Sequence, residues 1–90
     1  MEKHYSIDIY GLVQGVGFRY STFRYAKKYD IVGSVQNCPD GHVHVEAQGL
    51  AQPLEQFIHH LQEGPNSFAQ VHQFKISEQP LANYTTFTVA

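Results

Sequence analysis

The chain is predicted to form an α+β sandwich, with two helices on one face of a four- to five-stranded antiparallel sheet. Three observations predict it. Short segments at the start, middle and end alternate polar and apolar residues at period two. Two intervening segments carry apolar residues at helical spacing, giving the order β-α-β-β-α-β with a short extra strand at the end. Ninety residues supply too little helix to cover both sheet faces, so both helices must pack on one of them.

The first strand is carried by Tyr5, Ile7 and Ile9 alternating with Ser6, Asp8 and Tyr10. From Arg19 to about Asp30 there is no Gly or Pro. Tyr20, Phe23 and Ala26 or Lys27 recur there at helical spacing, and Lys27 and Lys28 suit the negative end of a helix dipole. IVGSVQN (31–37) and HVHVEAQG (42–49) flank the turn CPDG (38–41), which makes them a hairpin. Val43, Val45 and Ala47 form the inward side of its second strand. Leu54, Phe57, Ile58 and Leu61 predict the second helix, with Pro53 in its first turn and Gly64-Pro65 ending it. VHQFKIS (71–77) and TTFTVA (85–90) complete the sheet, joined by a polar turn through Pro80 and Asn83.

Composition bounds the function. The hydrophobic fraction is 42%, with six Tyr and six Phe, enough for the core of one domain over residues 1–90. Six Lys plus Arg against eight Asp plus Glu leave a net charge of −2. The cations form no stripe, which argues against a nucleic-acid partner. An RNA-binding sheet wants aromatics on its open face and basic surroundings, and strands one and three instead offer Asp8, His42, His44 and Glu46. One cysteine, Cys38, cannot pair internally and suggests a reducing compartment. No signal peptide or run of about 20 apolar residues is present. The expectation is a complete cytoplasmic domain that is monomeric, with no membrane partner.

Residues 11–19 read GLVQGVGFR. The first strand, first helix and second strand form a crossover, so strands one and two run parallel and end at the same sheet edge. This glycine loop and Asn37 are therefore expected to be neighbours, although eighteen positions separate Arg19 from Asn37. A helix N-terminus attracts anions, and glycines before it let amides converge into a nest. Arg19 adds a planar fork of donors for phosphate or carboxylate oxygens. Gly11, Gly15 and Gly17 match neither the dinucleotide fingerprint nor the P-loop. From the residues alone, an anion cradle and a plain strand-to-helix turn both stay open.

GLVQGVGFR resembles the acylphosphatase signature Gly-x-Val-Gln-Gly-Val-x-Phe-Arg at every specified position. The family's second signature resembles residues 33–49, where Gly33, Val35, Asn37, Gly41, Val43 and Gly49 fall in register. The resemblance covers essentially the whole chain and implies the ferredoxin-like form of the sandwich. It implies a cofactor-free, metal-free hydrolysis of a small-molecule acyl phosphate to a carboxylate and inorganic phosphate. The phosphate would rest on the backbone amides of Gln14, Gly15, Val16, Gly17, Phe18 and Arg19, with the Arg19 guanidinium as clamp. Asn37 would hold the attacking water. Ser34 departs from the pattern, since the family usually has an aromatic residue there, and it is expected to loosen packing beside the site or alter acyl preference.

Other polar residues are read more plainly. His42 and His44 share a strand face and could hold a metal, but without a clear third ligand they are read as a solvated face. His59-His60 is expected at the surface, Cys38 as a turn residue, and the tyrosines at 20, 25 and 29 as packing. The alternative function is a catalytically silent phosphate- or carboxylate-binding module of the same fold.

Overall fold

A computed structural model describes residues 1–90. In chain order its elements are β1 (Glu2–Leu12), α1 (Phe18–Lys28), β2 (Val32–Asn37), β3 (Val43–Leu50), α2 (Ala51–Glu63), β4 (Gln70–Gln79) and β5 (Phe87–Val89). The five strands form one sheet in the order β4-β1-β3-β2-β5. Pairing is antiparallel except at one edge, where β5 runs parallel to β2. That edge pair departs from the all-antiparallel sheet expected. The final segment crosses from the far side of the sheet before it pairs, so its direction is set by the crossover and not by a hairpin.

Strand alternation divides the two faces. Ile7 and Ile9 of β1 and Val43, Val45 and Ala47 of β3 are fully buried under the helices, as is Val35 of β2. Leu54, Phe57 and Leu61 of α2 meet them at i, i+3 and i+7. Each such aliphatic or aromatic side chain contributes roughly 1.5–3 kcal/mol by leaving water. Gly64 closes α2 at φ +96°, a backbone state that favours glycine.

The buried face of α1 differs from the expected stripe. Phe18, Thr22 and Ala26 point inward, spaced at i, i+4 and i+8. Tyr20 is instead 64% exposed. The helix begins at Phe18, which anchors it in the core and rotates Tyr20 outward. Phe23, Tyr25 and Tyr29 are half-buried against the core, so they serve as packing while Tyr20 does not.

Both β1 and β2 are antiparallel to β3, so they run parallel to one another with β3 between them. The loop after β1 and the turn after β2 therefore leave the same edge of the sheet. No helix is long and apolar enough to cross a membrane.

Thr22 is fully buried, and its hydroxyl has no hydrogen-bond partner. Replacing an orphaned hydroxyl with an apolar group of the same shape removes a desolvation cost. Thr22→Val is expected to stabilise the fold by about 1 kcal/mol, which for a domain this size raises Tm by about 4–8 °C. A thermal melt showing equal or lower Tm would contradict the orphaned hydroxyl.

Candidate active site

The site lies where the β1–α1 loop meets the β2–β3 turn. Val13, Gly15, Gly17, Phe18, Arg19, Tyr20, Phe23, Asn37 and Val89 line a cleft of about 500 Å³. Arg19 and Asn37 thus share one cleft, as the parallel course of β1 and β2 requires. Its lining combines the apolar Tyr20, Phe23 and Val89 with the polar Arg19 and Asn37.

The loop backbone has the form of a nest. Gly15 and Gly17 both sit at φ +75°, in the left-handed region that costs an L side chain about 1–2 kcal/mol. Gly17 caps α1 with no side chain accepting from its first turn. The amides of Gln14, Gly15, Val16 and Gly17 donate to no backbone group of the chain. Those of Phe18 and Arg19 lie in the first turn of α1, where no intrahelical acceptor exists. Six amides and the positive end of a helix are therefore free to receive an anion.

Side chains fix this loop from several sides. Gln14 Nε2 donates to the main-chain oxygens of Cys38, at 2.8 Å, and His42, at 2.9 Å. Asn66 Nδ2 donates to Val16 O and Ser21 Oγ, both at 3.0 Å. Arg19 Nη1 donates to the main-chain oxygen of Ala90 at 2.6 Å, leaving its other N–H groups open to solvent and the cleft. Gln14 and Val16 do not line the cleft. Nothing in the sequence marks Asn66, which comes from the loop before β4 and lies outside both signatures.

Asn37 ends β2 on the same face as Val35, two residues earlier, and so points to the helix side of the sheet. Its Oδ1 is buried and has no hydrogen-bond partner in the chain. Such an acceptor costs about 1–3 kcal/mol unless a ligand or water completes it. Ser34, on the opposite face of β2, does not line the cleft, and its strand neighbours are Glu46 and Thr88. The expected disturbance beside the site therefore has no structural basis. Cys38 is half-buried in the turn; its amide donates to His42 O at 2.8 Å, which makes it a turn residue.

The open sheet face departs most from expectation. His42 and His44 are not a solvated face. His42 Nδ1 and Nε2 meet Asp40 Oδ1 at 2.5 Å and Asp8 Oδ1 at 2.9 Å. His44 Nδ1 and Nε2 meet Asp8 Oδ1 at 2.8 Å and Glu46 Oε2 at 2.5 Å. Glu46 also accepts from Ser6 Oγ and lies 2.7 Å from His4 Nε2. Tyr10 stacks on His42. His60, expected at the surface, stacks on Tyr25 and hydrogen-bonds Tyr29, whereas His59 is exposed.

Each of His42 and His44 lies between two carboxylates, so both of its nitrogens need a proton. Burial opposes the charge, but the bonds from Asp40 and Asp8 to His42, and from Asp8 and Glu46 to His44, prevail and raise both above the ordinary 6.5. Burial likewise opposes ionisation of Asp8 and Glu46, but the histidines, and Ser6 in the case of Glu46, hold both below their ordinary 3.8 and 4.5.

A family model described as Acylphosphatase matches residues 5–89. A protein of Ligilactobacillus salivarius named Acylphosphatase is 45% identical over 87 residues, covering 97% of each chain. The crystal structure of acylphosphatase from Bacillus subtilis superposes with a TM-score of 0.93 at 33% identity, covering 100% of this chain and 99% of that one. Full-length HypF in its phosphate- and nucleotide-bound form contains a similar unit: TM-score 0.89 at 29% identity, over 100% of this chain and 12% of that one.

The histidine–carboxylate array predicts a pH dependence of stability. The raised histidines stabilise the fold fully below pH 6.5 and lose that contribution as pH rises through their folded values. The lowered carboxylates act above 3.8 and 4.5 and lose their contribution as pH falls. The array's contribution is thus largest at about pH 5–6. Urea unfolding across pH should show stability declining above pH 6.5, and Asp8→Asn should flatten that decline and lower stability at pH 5.5. Identical slopes in both chains would contradict the array.

Proposed function

The chain belongs to the acylphosphatase family, and we propose that the 14–19 loop, Arg19 and Asn37 are its machinery for hydrolysing the carboxyl–phosphate bond of acyl phosphates. The observation that carries this assignment is the meeting, in one cleft, of a nest of unpaired amides with a buried, unpartnered Asn37 oxygen. A simple anion binder needs only the first of these. The second calls for a small donor such as water, so the silent-module reading is not favoured.

In the proposed reaction the phosphoryl oxygens rest on the amides of Gln14, Gly15, Val16, Gly17, Phe18 and Arg19. The Arg19 guanidinium closes over them through N–H groups not committed to Ala90. The acyl group lies along Tyr20, Phe23 and Val89. Asn37 Oδ1 accepts a hydrogen bond from water and turns its lone pair toward phosphorus. The water oxygen bonds to phosphorus as the bond to the acyl oxygen breaks, and the bonding electrons leave on the carboxylate. A non-bridging phosphate oxygen takes the water's proton.

Few parts suffice because a carboxylate leaves readily without an acid, and phosphoryl transfer rests on positioning and charge stabilisation. The amides and Arg19 supply that positive potential, so the reaction as proposed uses no metal or cofactor. We place it in a monomer of the cytoplasm, with no nucleic-acid or membrane partner. The lone cysteine and the net charge of −2 support the cytoplasmic placement and the lack of a nucleic-acid partner.

Loss of benzoyl phosphate, followed by ultraviolet absorbance in the presence of EDTA, tests the reading. Arg19→Ala is expected to lower kcat/KM by at least about 10²–10³-fold, the usual cost of losing one preorganised donor to developing charge. Asn37→Ala should lower kcat with little change in KM, because it acts on water and not on substrate. Full kcat in Asn37→Ala, or turnover that EDTA abolishes, would contradict the assignment.

A further inference from the structure

A nest works only if its amide hydrogens point inward, and glycine leaves that direction free. The flanking peptides need outside restraint. Asn66, in the loop between α2 and β4, supplies one. Its Oδ1 accepts from the amides of Phe68, at 2.9 Å, and Ala69, at 3.0 Å. With Oδ1 committed to two donors, Nδ2 must face the other way, and both of its hydrogens are used on Val16 O and Ser21 Oγ. An asparagine amide has two donors and a two-lone-pair acceptor, and here all are engaged.

The bond to Val16 O has a specific consequence. In a trans peptide the carbonyl and the next N–H point in opposite directions, and the chain has no cis peptide bond. Holding Val16 O against Asn66 therefore turns the Gly17 N–H away from Asn66. Gly17 lines the cleft and Asn66 does not. The bond to Ser21, in the first turn of α1, ties this peptide to the helix end that carries Arg19.

We propose that Asn66 is a positioning residue for the reaction: by holding the Val16–Gly17 peptide and the first turn of α1 together, it aims the Gly17 amide at the phosphoryl group. This rests on the reading of the 14–19 loop as the phosphate cradle. Asn66 touches no substrate, and its effect passes through Gly17.

The test is inorganic phosphate binding by calorimetry, with Tm and KM for benzoyl phosphate measured on the same samples. Asn66→Asp keeps an acceptor for the Phe68 and Ala69 amides and loses both donors, while Asn66→Ala loses all four bonds. Ser67→Asp places the same charge one residue on and leaves Asn66 intact. Both Asn66 variants are expected to weaken phosphate binding about five- to tenfold, the worth of one net hydrogen bond. KM should rise in step, with Asn66→Asp still folded at the assay temperature by its Tm and Ser67→Asp binding phosphate as the wild type does. Phosphate affinity in Asn66→Asp within about twofold of wild type overturns the proposal. Equal weakening by Ser67→Asp overturns it too, since charge alone would then explain the loss. A wild type that binds phosphate without turnover refutes the catalytic reading but leaves the positioning test intact. A wild type that does not bind phosphate removes both.

Discussion

Two hydrogen bonds from one side chain, Gln14 Nε2 to Cys38 O and His42 O, hold the two halves of the site together. The sheet order puts β3 between β1 and β2, so the two strand ends that bear the site are not adjacent; at about 4.8 Å per strand step, a gap of two steps separates them. The ladders with β3 fix the strand ends, where Ile9 and Asn37 both pair with Val43, but the loop after β1 and the turn after β2 share no ladder beyond them. The Gln14 amide spans that gap, and through it Arg19 and Asn37 come to line one cleft. The rest of the site presupposes this spacing, because a phosphoryl group and a water must meet in line.

The two faces of the sheet divide the work. Toward the helices, interlocking aliphatic and aromatic side chains give α1 a fixed seat through Phe18, and the loop's position follows from that seat. Away from them, Asp40, His42, Asp8, His44 and Glu46 alternate base and acid across β1, β3 and the turn between β2 and β3. That array grips the same turn whose carbonyls receive Gln14. The polar network therefore supports the site from behind, although none of its side chains enters the cleft. Arg19, Gln14 and Asn66 restrain the loop from three directions, each through a different part of the chain.

Much of this was legible in the sequence, for reasons that can be located. Strand alternation and the Leu54-Phe57-Leu61 spacing are local properties, so the elements and the shared edge followed from short-range patterns. The signatures around Arg19 and Asn37 are contiguous runs, and the chain's family membership is equally plain in them. The histidine array was missed because it depends on cross-strand register: Asp8 stands opposite His44, and Ser6 opposite Glu46. The inward face of α1 was misjudged because one residue's difference in its start exchanges Tyr20 for Phe18 and Thr22. Asn66 carried no signal of its tie to the loop, since the two partners of its Nδ2 lie 45 and 50 positions away.

Titrating ¹⁵N-labelled chain with inorganic phosphate shows whether the main-chain amides of 14–19 are the phosphate site. The amide resonances of Gln14 to Arg19 are expected to move downfield together and saturate with one affinity, with Arg19→Ala weakening that affinity. Saturable shifts confined to other residues, with the 14–19 amides unmoved, would contradict that assignment.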